Sequence, residues 1–298
     1  MCSSDLDYTT IVECVLGYFA DANETFRHRT RPGQDIGGAL RHLVVRSGAH
    51  TREVLVNLVT TSHLQADLGA LVDKMAALTL EGQLKGFLHT THDGVADTTY
   101  GERTELLWGR GCINEQCCGL NYTIHPYSFF QTNTLGAELL YAKAREYAGD
   151  IDVLYDLYCG TGAIGQSLSV DVSPSLVLGV DVSMESIQDA NANAVANNLD
   201  HCRYIASDAL DVESWMKGQP RADVIVVDPP RDGLHPKALR KFADIGAPTI
   251  VYISCKPSSL ARDLAALAQH GYAARRICAV DMFPRTSHVE CVALLEKE

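Results

Sequence analysis

Cys255 stands in Ile253-Ser254-Cys255-Lys256-Pro257, between an apolar, β-branched run (Thr249 to Ile253) and a stretch, Ser258 to Leu264, that reads as a capped helix start. Some thirty residues on comes Ser287-His288-Val289-Glu290. Together they offer a sulfur nucleophile and a carboxylate base. A cysteine at a helix N-terminus faces unpaired backbone N–H groups and the positive end of the helix dipole, which favour thiolate over thiol, and Lys256 can add to that shift. The alternative is a buried structural cysteine, the commoner setting of a free thiol.

The run before Cys255 is one of a series. From Pro126 onward, Thr132 to Tyr147 has a helix pattern, and strands then alternate with helices, the strands near 152–157, 176–181, 202–206, 222–227, 249–253, 274–281 and 289–295. That alternation predicts an α/β fold with a doubly wound, seven-stranded, mostly parallel sheet. The last two strands are separated only by a short connection carrying Phe283-Pro284-Arg285-Thr286, so they are expected to form an antiparallel hairpin at the edge. Residues 8–125 instead show short alternating segments, among them 40–45, 53–60 and 119–125, with one helical stretch near 63–79. The reading is two domains: a smaller β-rich α+β domain over 1–125 and the doubly wound domain over 126–298.

Composition narrows the function classes. A chain of 298 residues with 46% hydrophobic content can bury two cores and is neither disordered nor fibrous. No apolar run approaches the roughly 20 residues of a membrane span, and the N-terminus has no basic region followed by an apolar one, so no membrane partner and a cytoplasmic location are expected. The closest cysteine group, Cys112, Cys117 and Cys118, has no fourth partner at ligand spacing, so neither a metal nor an iron–sulfur cluster is expected. The net charge of −12 argues against coating nucleic acid by bulk electrostatics. Positive charge is nevertheless concentrated between Arg27 and Arg52, where Arg27, Arg29, Arg31, Arg41, Arg46 and Arg52 face a single acid, Asp35. That stretch is either a phosphate-binding face or a solvated surface.

The strand ending at Tyr158 runs into Cys159-Gly160-Thr161-Gly162-Ala163-Ile164-Gly165, where glycines at a strand-to-helix turn let a ligand approach the backbone. Asp181 ends the next strand, placed to accept hydrogen bonds from ribose hydroxyls. NAD and S-adenosylmethionine both suit this arrangement, and the loop alone does not separate them. Three acids tilt the choice toward S-adenosylmethionine. Asp156 precedes the glycines and can face an amino-acid moiety, Asp208 ends the third strand on the adenine side, and Asp228-Pro229-Pro230-Arg231 ends the fourth, a rigid tip suited to a planar base.

At this point the residues closely resemble the RNA uracil-5-methyltransferase family, which makes 5-methyluridine in tRNA and large-subunit rRNA. The resemblance rests on Phe129-Phe130-Gln131-Thr132-Asn133, Asp156 to Gly162, Asp228 to Gly233, Ser254 to Pro257 with Leu260 to Asp263, and Asp281 to Glu290, in the family's order over 126–298. Gly37 to Val44 is similar, more weakly, to the family's central domain. The resemblance implies S-adenosylmethionine as cofactor, a single-stranded or loop uridine of rRNA or tRNA as target, Cys255 as nucleophile and Glu290 as base. It also implies that Gln131, Tyr158, Asp181 and Asp228 line the cofactor and target-base pocket. No stretch resembles the family's N-terminal RNA-binding barrel or its four-cysteine cluster, so the chain is expected to be a short form or a truncation. Lys256 replaces the family's common Asn, and Ala163 an Asn found in some members. Two competing readings are a nitrogen-directed nucleic-acid methyltransferase, which leaves Cys255 and Glu290 unexplained, and an inactive RNA-binding factor on the same fold.

Overall fold

The computed structural model describes residues 3–27 and 37–298. Arg29, Arg31 and Asp35 of the basic stretch lie outside the described residues. The chain divides into two compact units, one running to Glu115 and taking in Thr123–Tyr127, the other comprising Gln116–Tyr122 and Ser128–Glu298.

In the first unit, helix α1 (Ser3–Asp21) is followed by strands β1 (Leu40–Ser47) and β2 (Glu53–Thr60), helix α2 (Leu68–Ala76), and strands β3 (Gln83–Thr91) and β4 (Arg103–Gly109). They form one sheet in the order β1-β2-β3-β4. β2 and β3 are parallel and the outer pairs antiparallel, so α2 is the crossover that a parallel connection requires. Ile11, Val15 and Phe19 of α1 recur every fourth residue and are buried against Val54, Val56, Leu58, Leu71 and Phe87. This is a helical period in a stretch where short alternating segments were expected. The basic stretch is in part turned to internal use. Arg27 donates to Asp93 O, Arg41 donates to the carbonyls of His92, Gly94 and Ala96, and Arg46 donates to Pro126 O.

A two-stranded hairpin, β5 (Ile113–Cys117) and β6 (Leu120–Ile124), precedes helix α3 (Thr134–Ala148), whose first turn is capped by the Asn133 side chain accepting from Gly136 N. Then come β7 (Val153–Leu157), α4 (Ala163–Ser169), β8 (Leu176–Asp181), α5 (Met184–Ala196), β9 (Cys202–Ala206), the single turn α6 (Val212–Trp215), β10 (Val224–Val227), α7 (Pro236–Ile245), β11 (Thr249–Ser254), α8 (Pro257–Ala268), β12 (Tyr272–Val280) and β13 (Glu290–Lys297). The seven-stranded sheet has the order β12-β13-β11-β10-β7-β8-β9. Strands β7 to β11 are mutually parallel, and β13 is antiparallel to both neighbours. The expected hairpin thus exists, but β13 inserts between β11 and β12, and only β12 is an edge. Central strands β7, β8, β10 and β11 are buried along nearly their whole length on both faces, the pattern of a sheet covered by helices on both sides.

Tyr204 of β9 lies opposite Gly179 of β8 and covers it. A Cβ on Gly179 would come 2.3 Å from Tyr204 Cδ1. Because both strands are fixed in the sheet, Gly179→Ala is expected to destabilise the protein by about 1–3 kcal/mol through overpacking. Urea denaturation measures it, and an unchanged midpoint would show that the two strands can part at no cost.

Candidate active site

Parallel pairing aligns strand ends into rows. Leu157 of β7 pairs with Val180 of β8 and with Val227 of β10, so Tyr158, Asp181 and Asp228, each one residue further, form a row along the carboxyl ends of three adjacent strands. This is where ligands bind in open α/β sheets. β13 contributes differently. Its pairing with β11 runs to Ser254↔Cys291, and the next step of that register sets Cys255 opposite Glu290. An antiparallel strand presents its N-terminal end at the edge where its parallel neighbours end. Residues 35 positions apart in the chain therefore meet there.

These residues surround a cavity of about 720 Å³. Gln131, Tyr158, Asp181, Asp228, Cys255 and Glu290 all line it, with the Phe129, Phe283, Arg231 and His288 side chains nearer its lip. Asp208 is not among the residues that line it, although its charge acts on Tyr158, which does. It lies two residues beyond the end of β9, and its carboxylate accepts from Leu210 N at 2.8 Å. Asp156 is likewise not exposed to a ligand. It is fully buried within β7, one oxygen accepting from Gly165 N at 2.8 Å. The last glycine of the loop serves this packing, since a Cβ there would sit 2.7 Å from Asp156 Oδ2. Burial, with some help from the charge of Asp181, pushes the Asp156 carboxyl up to about 7.

The loop itself is shaped by Gly160 (φ 52°) and Gly162 (φ 77°), both in the left-handed region. Tyr158, also left-handed at φ 65°, turns the chain out of β7 and packs edge-on against Phe242. Asp181 is held by two backbone donors, Gly160 N at 3.0 Å on one oxygen and Ser183 N at 2.9 Å on the other. Each oxygen retains acceptor capacity, so the carboxylate is oriented without being saturated. Beside it Val182 is 71% exposed, an apolar surface on the cavity wall.

The reacting groups are electrostatically coupled. Burial pushes Asp228 up to about 8, with the charges of Glu290 and Asp156 adding, so its carboxyl is largely neutral at pH 7 and can donate a hydrogen bond. Burial also raises Glu290, while Arg231 opposes. The Cys255 thiol is raised rather than lowered, by burial first, then by Glu290 and Asp228, with Arg231 again opposing. This corrects the expectation of an activated thiolate. Pro257 occupies the first helical position, where no N–H is available, and two carboxylates outweigh the cation that faces the sulfur.

One residue that enters the sequence reading only as part of a motif, with no role of its own, holds the site together. Asp263, in the second turn of α8, is fully buried, and its Oδ2 accepts from Leu234 N at 2.7 Å and Tyr252 Oη at 2.6 Å. Its Oδ1 pairs with Arg262. Arg262 also donates to Asp232 O, and Ser259 Oγ donates to Arg231 O at 3.0 Å. The loop carrying Asp228 and Arg231 is thereby bolted to the strand and helix that flank Cys255. The signal was present: Ser259, Leu260, Asp263 and Leu267 fall on one buried helical stripe, and a carboxylate on such a stripe needs partners. Among the described residues, no group of three or more His, Cys, Asp or Glu could hold a metal ion.

Asp263→Asn places an amide NH₂ against either the Arg262 guanidinium or the Leu234 N–H, and is expected to cost about 1–3 kcal/mol in urea denaturation. Alkylation of Cys255 by iodoacetamide, followed at its peptide by mass spectrometry, should be slow at pH 7 and rise only above the ordinary thiol range. Glu290→Gln should shift that profile to lower pH by removing an anion, and Arg231→Gln to higher pH by removing a cation. Opposite shifts would refute the assignment of neighbours.

The chain is similar to known proteins over nearly its whole length. A family model for tRNA (uracil-5-)-methyltransferase matches residues 113–298. Proteins named as uncharacterized RNA methyltransferases from Clostridium tetani and Caldanaerobacter subterraneus are 40% and 39% identical to it, over 99% and 98% of this chain and 63% and 64% of theirs. A crystal structure of the Pyrococcus abyssi tRNA (uracil-54, C5)-methyltransferase with S-adenosyl-L-homocysteine superposes with a TM-score of 0.76 at 31% identity, covering 95% of this chain and 66% of that one. The chain thus spans just under two thirds of the length of these relatives. By the family model, by its relatives and by its fold, it belongs to the tRNA (uracil-5-)-methyltransferase family.

Proposed function

We propose that this chain is the S-adenosylmethionine-dependent core of an RNA methyltransferase that converts uridine to 5-methyluridine through a covalent adduct at Cys255. The observation that carries the reading is the register that sets Cys255 opposite Glu290, with Asp228 beside both in one cavity. The residues suit the cofactor. The backbone-oriented carboxylate of Asp181 can accept from ribose hydroxyls, exposed Val182 offers a flat apolar contact for adenine, and the glycine turn leaves room for close approach. Gln131 and Tyr158 complete that wall. When bound, S-adenosylmethionine supplies an electrophilic methyl group.

The protein's share is to make carbon 5 of uracil nucleophilic. Cys255 loses its proton to water and bonds through sulfur to carbon 6, and the carbon 5–carbon 6 π pair moves onto an enolate spanning carbon 5 and the carbon 4 oxygen. A neutral Asp228 can donate to a ring carbonyl where that charge gathers. After carbon 5 is methylated, Glu290 takes its proton, the double bond re-forms and the sulfur leaves as thiolate. Burial raises Glu290 and so strengthens it as a base for this step. The thiol, held protonated at rest, needs the electrophilic ring beside it before it reacts, which spares it from adventitious alkylation. The target base must leave its stack to enter the cavity, and Phe129, 65% exposed on the lip, offers a face on which a base can stack. We assign this chemistry to the second unit and RNA recognition to the α+β unit, following the similarity of its Gly37 to Val44 segment to the family's central domain.

RNA bearing 5-fluorouridine, given with S-adenosylmethionine, is expected to become covalently attached to the wild-type protein, since fluorine at carbon 5 leaves no proton for Glu290 to remove. Cys255→Ala should form no adduct. Glu290→Gln should accumulate an adduct with ordinary uridine RNA, seen as a slow species on a denaturing gel, and turn over at least 100-fold more slowly, within the ~10²–10⁴ contributed by a general base. A wild-type protein that methylates carbon 5 without ever being trapped would sink the covalent mechanism.

A further inference from the structure

The cavity interior is lined by carboxyl groups rather than by cations. Asp181, Asp228 and Glu290 line it, and the whole chain carries a net charge of −12. A nucleotide that delivers its base to such a cavity must keep its phosphates outside, and something at the rim must compensate them. The basic side chains lining the cavity are Arg231 and His288, both exposed and on different loops. Arg231 Nη2 lies 3.5 Å from His288 Nδ1, and among the described residues Arg231 forms no ion pair within 4.0 Å. An arginine whose hydrogen-bonding neighbour is an imidazole, with the Glu290 carboxylate near but beyond ion-pair distance, has donors left for an anion.

Both loops are fixed from behind. The Arg231 carbonyl accepts from buried Ser259 Oγ, and Gly233 N closes a turn on Pro230 O at 2.8 Å. On the other side, His288 N donates to Thr286 Oγ1 at 3.1 Å, Thr286 Oγ1 donates to Phe283 O at 2.8 Å, and the Phe283 ring stands edge-on to the imidazole. The two basic groups are thus pre-positioned at one point of the lip, while the acids lie deeper.

Resting on the reading that this site takes an extruded uridine, we propose that Arg231 and His288 form a clamp for the backbone phosphodiester adjoining that nucleotide. The guanidinium supplies paired N–H donors in a fork that matches two phosphate oxygens, and the imidazole supplies a further N–H. The clamp holds the backbone at the rim and lets the base project toward Cys255. It also keeps the positive charge of Arg231 close to Cys255 and Glu290, both of which it already influences.

The test is the salt dependence of RNA binding, using a tRNA transcript containing 5-fluorouridine as probe, measured by filter binding without the methyl donor over a range of KCl concentrations. Loss of one phosphate contact should flatten the slope of log K against log salt by about 0.7–0.9 in Arg231→Gln. Binding should weaken about tenfold, the magnitude of one lost charge-assisted hydrogen bond. Arg231→Lys, which keeps the charge, should keep the slope. His288→Ala should weaken binding, and combined with Arg231→Gln should cost less than the product of the two single effects, because both serve one phosphate. Should Arg231→Gln fail to fold, the exposed His288→Ala still reports the clamp through its own loss of binding. An unchanged slope in Arg231→Gln, or full affinity in His288→Ala, overturns the clamp. Adduct formation by the wild-type protein, scored separately after adding S-adenosylmethionine, reports on the covalent mechanism alone: an adduct with an unchanged slope rejects only the clamp, and a flattened slope with no adduct rejects only the chemistry.

Discussion

The buried carboxylate of Asp263 is the joint on which the site depends. It accepts from the backbone of the loop after β10, from a tyrosine on β11, and from the arginine beside it on α8. A fully buried carboxylate is unfavourable unless its lone pairs are taken up, and here three donors from three segments take them up at once. Misplacing any of the three would leave that buried carboxylate a lone pair short of a donor. The geometry of the loop bearing Asp228 and Arg231 is thereby tied to that of the strand leading to Cys255. The close fit of Gly233 to this carboxylate, with no room for a Cβ, shows how near the loop must come.

A second constraint comes from β13. Had the last strand entered the sheet parallel to its neighbours, its N-terminal end would lie at the far side from the ligand cavity. Its reversed direction, and its insertion between β11 and β12, bring Glu290 and the 281–289 loop to the strand ends where Tyr158, Asp181 and Asp228 stand. The cavity is consequently assembled from five strands, with the acids on its inner wall and the basic groups at its lip.

Much of this framework could be read from the chain because buried parallel strands are short apolar runs bounded by turn residues, a strong signal. All seven strands of the large sheet fall within two residues of where the pattern puts them. The first unit was less legible. Its β3 and β4 carry polar residues at exposed positions, and β4 has no fully buried residue, so alternation there is weak. Helix α1 does not stand out in the sequence although Ile11, Val15 and Phe19 keep a helical period, because its exposed face also carries Leu6, Val12 and Leu16 and blurs the contrast. At the site, residue type and strand-end position singled out Cys255, Glu290, Asp181 and Asp228, but depth could not be read. Asp156 and Asp208 share the type and approximate position of their neighbours, yet one is enclosed in its strand and the other caps a turn. The sign of the thiol's shift was illegible for the same reason, since it depends on carboxylates that only the folded register brings near.

The pairing of Cys255 with Glu290 has a consequence for how such a chain can vary. Successive side chains of a strand alternate between the two sides of a sheet, so moving β13 along β11 by a single position would carry the glutamate to the opposite face of the sheet and set Cys291 or Val289 opposite Cys255 in its place. Length changes within these strands are therefore subject to a parity rule. The loop between β12 and β13 can lengthen without disturbing that phase, whereas one extra or missing residue in either ladder would separate acid from sulfur while leaving the rest of the architecture intact.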